Sequence, residues 1–443
     1  MMDTLSQLRA GKLAGATRLE LACGLTEFPR EIFDLADSLE VLNLANNRLS
    51  ALPDDLGRLR KLRILFCSAN DFAHLPAVLG DCESLSMTGF KSNRIESIDA
   101  GAFPPALRWL ILTDNRIGKL PPAIGHCTRL QKLMLAGNQL QELPVEMAAC
   151  ENLELIRLAA NQLRALPEWL LTLPRLSWLA LAGNPCVNAL EDKTGVMTEI
   201  DWSQLDLHQP LGEGASGVIH RATLRSSFSG GPQAVAVKVF KGTVTSDGLP
   251  ASEMAACLAA GAHPNLIQVL GRIKNHPTQR HGLVMSLIDA EFRSLAAPPD
   301  FDSCTRDVYA EDRRFTLPVL LRTARGVASA ARQLHARGIM HGDLYAHNVL
   351  WHDDGHCLLG DFGAASFYPA MESGAASALQ RIEVRAFGCL LEELLNRAMT
   401  EPEQTATMDE LRALQARCVA PVVSTRPSFA EVVAELTMLS NME

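Results

Sequence analysis

A chain of 443 residues is long enough for two or three domains, each with a core of its own. Its residues are 47% hydrophobic and 21% charged, an ordinary globular balance, and a formal net charge of −9 weighs against nucleic acid or an anionic membrane surface as the main partner. The longest apolar runs, such as Ser177 to Ala182, fall far short of the roughly 18 residues that a membrane-spanning helix needs.

The opening segment MMDTLSQLRAGKLAG has no apolar stretch of the signal-peptide kind. A cytoplasmic protein is expected, with export by a route that needs no such signal left open. Eleven cysteines are scattered without CxxC pairs or metal-type spacing. Cys82, Cys127 and Cys150 stand at one repeated phase, three residues before a leucine, and are read as small buried hydrophobes in a reducing compartment.

From about residue 16 to 187 the chain repeats itself. The pattern LxxLxLxxNxLxxLP stands as Leu39, Leu42, Leu44, Asn47, Leu49, Leu52, Pro53, and returns as Leu62, Leu65, Cys67, Asn70, Phe72, Leu75, Pro76. The asparagine recurs at Asn93, Asn115, Asn138, Asn161 and Asn184, in steps of 23, 23, 22, 23, 23 and 23 residues from Asn47. That period lies in the range of roughly 20–29 residues of leucine-rich repeats, and the run is identified as such a solenoid, expected over residues 1–190 with about eight units. Each LxL is a short strand of a parallel sheet, and the asparagine serves the main chain where it turns out of the strand.

Side chains alternate along a strand, so function is expected on the outward columns. One reads Val41, Ile64, Met87, Trp109, Lys132, Leu155, Trp178, and its neighbour reads Asn43, Phe66, Gly89, Ile111, Met134, Arg157, Ala180. An apolar stripe on a face that should be solvated usually marks a binding surface. A protein or peptide is expected there, around Trp109, Trp178, Phe66, Ile111 and Met134. Packing of the stripe against the chain's own second half is the competing reading.

A polar stretch, 191–202, is read as a linker, and residues 203–443 follow a different pattern. The segment LDLHQPLGEGASGVIHRATL reads as strand, glycine turn, strand, with Gly212, Gly214 and Gly217 where absent side chains let main-chain N–H groups approach phosphates. Val235-Ala-Val-Lys238 is an apolar strand ending in a lysine suited to the α- and β-phosphates of a nucleotide. Glu253, in the helical stretch that follows, is placed to pair with it. Further on, His341-Gly-Asp343-Leu-Tyr345-Ala-His347-Asn348 precedes an apolar strand, and Asp361-Phe-Gly363 follows. Phosphoryl transfer needs metal ligands and a carboxylate that orients the attacking hydroxyl. Asn348 and Asp361 suit Mg²⁺, and Asp343 suits the base.

The order and spacing of these pieces resemble the protein-kinase family over about residues 203–443. His263-Pro-Asn265, Glu383-Val-Arg-Ala-Phe387-Gly388 and Arg426-Pro-Ser-Phe429 extend the likeness. The resemblance implies a bilobal α+β domain after the α/β solenoid, with ATP and Mg²⁺ between the lobes. It places Leu211, Ile219, Met285 and Leu287 around the base, the last two as gatekeeper and hinge. The chain departs from the family at four points. Gly342 replaces the arginine of HRD, and Tyr345 stands where serine/threonine kinases carry a lysine. His347 stands where tyrosine kinases often have arginine. No APE is present, and Glu372 in Tyr-Pro-Ala-Met-Glu is its nearest counterpart, expected to meet Arg426. So short a segment after the DFG leaves no room for a phosphorylation switch. A serine/threonine protein kinase is the expected function. A nucleotide-binding pseudokinase scaffold is the first alternative, and a small-molecule kinase resembling aminoglycoside and choline phosphotransferases is the second.

Overall fold

The computed structural model describes residues 3–187, 198–214, 216–225, 231–242, 244–245, 247–368, 374–399 and 401–442. The chain divides into two compact units, Met1–Leu173 and Pro174–Glu443.

The first unit opens with a short helix, α1 (Thr4–Arg9), capped by the Asp3 side chain on the Ser6 N–H. Strands β1 (Arg18–Glu20), β2 (Val41–Asn43), β3 (Ile64–Phe66), β4 (Met87–Gly89), β5 (Trp109–Ile111), β6 (Lys132–Met134) and β7 (Leu155–Arg157) follow. They pair in parallel, each with the next repeat's strand in register. The inward leucines Leu42, Leu65, Leu110 and Leu133 are fully buried. The repeated asparagine explains the stacking. Asn70 donates through Nδ2 to the carbonyls of Cys67 in its own coil and Leu44 in the preceding one, and its Oδ1 accepts the Leu49 N–H. Asn93, Asn115, Asn138 and Asn161 repeat this scheme. One residue earlier the chain turns through a positive φ, 51° at Ala69 and 72° at Gly137. Burial pushes the thiols of Cys82 and Cys127 up to about 12 and that of Cys150 to about 11, so they remain protonated core groups.

The second compact unit takes in the last repeat coil. Strand β8 (Trp178–Ala180) and the turn at Asn184 belong to it. Residues 191–197 of the expected linker lie outside the described residues, and its end is already sheet. β9 (Glu199–Asp201) pairs in parallel with β13 (Val269–Lys274), because Ile200 enters the core and Glu199 meets Arg272 and Lys274. With β10 (Leu205–Glu213), β11 (Gly217–Leu224), β12 (Gln233–Phe240) and β14 (Gly282–Ser286), these strands form a six-stranded sheet in the order β9-β13-β14-β12-β11-β10. Helix α2 (Pro250–Ala260) completes this lobe. The second lobe is helical, built on α3 (Leu317–Ala336), α4 (Gly374–Leu395), α5 (Thr405–Cys418) and α6 (Phe429–Ser440). The architecture is thus the expected solenoid followed by a bilobal α+β domain. Among the described residues no helix is long and apolar enough to cross a membrane.

Candidate active site

β10 and β11 pair antiparallel with Gly212 opposite Ile219, and the Gly214 N–H closes the turn on the Gly217 carbonyl at 2.9 Å. A Cβ on Gly217 would stand 2.6 Å from the Val239 carbonyl oxygen, so only glycine lets the turn lie on β12. Gly212 and Gly214 face open space, with no protein atom within 4 Å of where a Cβ would point. This clearance lets a ligand approach the main chain.

On β12 the residues Val235, Val237 and Val239 enter the sheet's core, and alternation sends Ala236 and Lys238 into the cleft. The Lys238 ammonium pairs with Oε1 of Glu253, and the two side chains are only 11% and 3% exposed. Burial opposes the charge on Lys238. The carboxylates of Glu253 and Asp361 outweigh it and hold the lysine above its ordinary range.

The loop that carries Asp343 leaves β15 (Ile339–Met340), which pairs with β16 (Ser366–Phe367). Gly342 turns at φ +74°. A Cβ there would stand 2.5 Å from the carbonyl of Ala364 and 2.7 Å from that of Leu179, so an arginine at this position has no room. Asn348 spends its amide N–H groups on the main-chain oxygen and Oδ2 of Asp343, both at 2.9 Å, which keeps its own Oδ1 as an acceptor. The Gly360 N–H donates to the Asn348 carbonyl at 3.0 Å, and His341 Nε2 meets the Gly360 carbonyl at 2.8 Å. Through these bonds the loop is tied to the segment that carries Asp361. Asp361 adopts φ 53°, a conformation few L-residues hold, and its Oδ1 accepts the Gly363 N–H at 3.2 Å.

Two adjoining cavities occupy the cleft. The inner one is lined by Gly214, Gly217, Lys238, Glu253, Met285 and Asp361. The outer one is lined by Leu211, Gly212, Ile219, Met285 and Leu287. The structure therefore brings together every residue singled out from sequence for the nucleotide, and it joins Asp343 and Asn348 to the same floor. Thr245, Asp247 and Cys257 also line the inner cavity, and no motif announced them. Asp307, equally unannounced, holds His347 through its main-chain N–H at 3.0 Å and its Nδ1 at 2.7 Å. Glu372 lies outside the described residues. Arg426 gives its guanidinium to the carbonyls of Pro174, Ala420 and Arg381. Among the described residues no three His, Cys, Asp or Glu side chains converge as a metal cage. One carboxylate and one amide oxygen suit Mg²⁺, which keeps waters and shares substrate phosphates rather than filling an all-protein site.

Residues 205–396 match the model of the protein tyrosine and serine/threonine kinases. The second unit contains a protein-kinase domain. Leucine-rich-repeat models match residues 38–59, 89–140 and 128–185, so the chain joins such repeats to the kinase domain. Among curated proteins it is 30% identical over 167 residues to the serine/threonine-protein kinase mos of Xenopus laevis, covering 38% of this chain and 43% of that one. To the tyrosine-protein kinase receptor TYRO3 of Danio rerio it is 25% identical over 281 residues, covering 53% and 31%. The chain thus spans less than half the length of either relative. A solved leucine-rich-repeat protein of Leptospira interrogans matches with a TM-score of 0.38 and 31% identity, over 40% of this chain and 46% of that one.

The kinase domain corrects one expectation about the repeat face. Trp178 is not available to a partner: it is 1% exposed, and its ring is stacked on Tyr345 with centroids 4.1 Å apart. Phe66, Trp109, Ile111 and Met134 stay partly exposed, with the Lys132 ammonium 4.0 Å above the Trp109 ring.

Proposed function

We propose that this chain is an ATP-dependent protein kinase that phosphorylates serine or threonine hydroxyls on a protein recruited by its repeats. One observation carries the reading. An open glycine turn, the ion-paired Lys238 and Asp361 share a single cavity, to whose floor Asp343 and Asn348 are bonded.

Phosphoryl transfer asks for positioning and charge neutralisation more than covalent help. The main chain at Gly212, Gly214 and Gly217 cradles the phosphates, and Lys238, held by Glu253, meets the α- and β-phosphates. Leu211, Ile219, Met285 and Leu287 enclose the base. Asn348 and Asp361 would hold Mg²⁺, which when bound would neutralise charge on the triphosphate. Asp343 orients the acceptor hydroxyl and takes its proton. As the acceptor oxygen bonds to the γ-phosphorus, the bond to the bridging oxygen breaks and ADP leaves. The serine/threonine kinase mos and the tyrosine kinase receptor TYRO3 are both similar to the chain, so the label on the product decides between the hydroxyls. The partly exposed Phe66, Trp109, Ile111 and Met134 support a protein-binding role for the repeats, where tethering raises the local substrate concentration.

The test is phosphate transfer from γ-labelled ATP by the full chain to itself, to generic proteins and to small alcohols, beside Asp343→Asn. Label on serine or threonine, lost in the variant, supports the reading. Nucleotide binding without transfer makes the chain a scaffold, and label on the alcohols makes it a small-molecule kinase.

A further inference from the structure

The last repeat coil and the catalytic loop lie in the same compact unit, and the bonds between them are numerous. Trp178 donates its Nε1–H to the main-chain carbonyl of Leu344 at 3.1 Å. Its ring lies 6° from parallel to that of Tyr345. Tyr345 in turn faces His347 at 4.9 Å, and Asp307 fixes His347 from the far side. On either side of the indole, the Leu181 N–H donates to Ser366 Oγ at 2.8 Å and Arg385 donates to Ser177 Oγ at 2.6 Å. Arg426 donates to the Pro174 carbonyl at 2.7 Å. Repeat residues therefore meet the catalytic loop, the segment after the DFG and the helix α4.

Two oddities of the sequence adjoin this coil. The Leu179 carbonyl of the repeat, together with that of Ala364, stands where a side chain at 342 would begin. The aromatic at 345 is one leaf of a stack whose other leaf comes from the repeat. Both departures from the kinase pattern thus face the same coil.

We propose that Trp178 is a positioning residue for phosphoryl transfer, fixing the catalytic loop by stacking on Tyr345 and bonding Leu344. The four residues it braces, Leu344 to His347, separate Asp343 from Asn348, whose side chains must keep their 2.9 Å contact. A large, rigid ring on a well-packed repeat holds that spacing at little entropic cost. Trp178 does not line the nucleotide cavities, so its removal acts through the loop and not by contact with the nucleotide.

This inference rests on the kinase reading, and its test keeps the two separable. In the full chain, Trp178→Ala is compared with Trp178→Phe, which keeps a stacking ring and loses the N–H. The assays are steady-state transfer and amide hydrogen exchange of peptides covering 341–348. Trp178→Ala is expected to lower kcat by about ten- to a hundredfold, the scale of a loss of positioning. KM for ATP should move by less than about threefold, because the residues that line the nucleotide cavities are left in place. Trp178→Phe should restore most of kcat. Exchange at 341–348 should rise in the alanine variant whether or not transfer is detected, so a chain that never transfers phosphate sinks the kinase reading, while exchange still decides whether Trp178 braces the loop. Should Trp178→Ala fail to fold by circular dichroism, Tyr345→Leu breaks the stack from the loop side and must give the same pattern. Wild-type kcat with wild-type exchange overturns the proposal. A rise in kcat overturns it as well, since the coil would then be a brake.

Discussion

Glu383 accepts the main-chain N–H of Gly342 through Oε1 at 2.7 Å and meets His335 Nε2 through Oε2, also at 2.7 Å. One buried carboxylate on α4 thus pins the catalytic loop to α3. Burial opposes its charge, but His335, His341 and the Gly342 N–H more than compensate and keep the carboxyl below its ordinary value of 4.5. Glu383→Ala leaves an N–H and an imidazole unsatisfied and is expected to cost about 2–4 kcal/mol of unfolding free energy. A depressed carboxyl contributes stability above the unfolded-state value and loses it as pH falls through the folded one. The advantage of the wild type over Glu383→Gln, measured by denaturant unfolding, should therefore shrink as pH falls from 5 towards 3.

The Lys238–Glu253 pair separates stability from chemistry. Lys238→Met leaves the Glu253 carboxylate buried without its cation, and should cost about 3–5 kcal/mol while abolishing transfer. Adding Glu253→Gln removes the stranded charge. The double variant should regain most of the lost stability in urea unfolding and none of the transfer. Recovery of transfer in the double variant would show that Lys238 never touched the nucleotide.

How much of this was legible follows from which residues bond locally. The asparagine period and the LxL strands were readable because each repeat uses the same residues for the same hydrogen bonds, Asn70 no differently from Asn93. The convergence of these side chains on one cleft was readable because glycine clearance, strand alternation at Lys238 and the Asp343–Asn348 spacing are set within short stretches of chain. The packing of the last repeat coil within the second compact unit was not readable. It depends on Trp178 meeting Tyr345 and Ser177 meeting Arg385, pairs 167 and 208 residues apart, and composition at 174–190 still reads as repeat. In a strand column Trp178 looks the same as Trp109, and only the tertiary fold decides which one is covered.

Ser366 is the only hydroxyl between the DFG and Tyr368. It is 1% exposed, and its Oγ accepts the Leu181 N–H. A phosphate there would have to displace the repeat coil. Phosphatase treatment is therefore expected to leave transfer unchanged, with no phosphate found on Ser366 by mass spectrometry. Ser366→Ala should cost about 1–2 kcal/mol in thermal unfolding, the cost of one unsatisfied buried N–H. Loss of transfer on dephosphorylation, with a site mapped to Ser366, would refute the built-in arrangement.

Glu393 supplies a pH test outside the two cavities of the cleft. Burial, reinforced by the nearby Asp307 carboxylate, pushes its carboxyl up to about 7, although Arg306 at 3.3 Å and the Tyr309 hydroxyl at 3.3 Å partly relieve it. An acid whose folded value exceeds its unfolded one keeps its proton in the native state while the unfolded chain has already lost it. Between about pH 4.5 and 7 the native state therefore binds more protons, and stability falls as pH rises. The expected penalty from this carboxyl approaches about 3 kcal/mol above pH 7, on the scale of 1.36 kcal/mol per pKa unit. Glu393→Gln removes the titration and nearly keeps the shape. Its unfolding free energy relative to the wild type should climb steadily from pH 5 to pH 8, whatever fixed offset the lost carboxylate contacts impose. A difference that stays flat over that range would mean that Arg306 and Arg397 neutralise the site, and that Glu393 is ionised throughout.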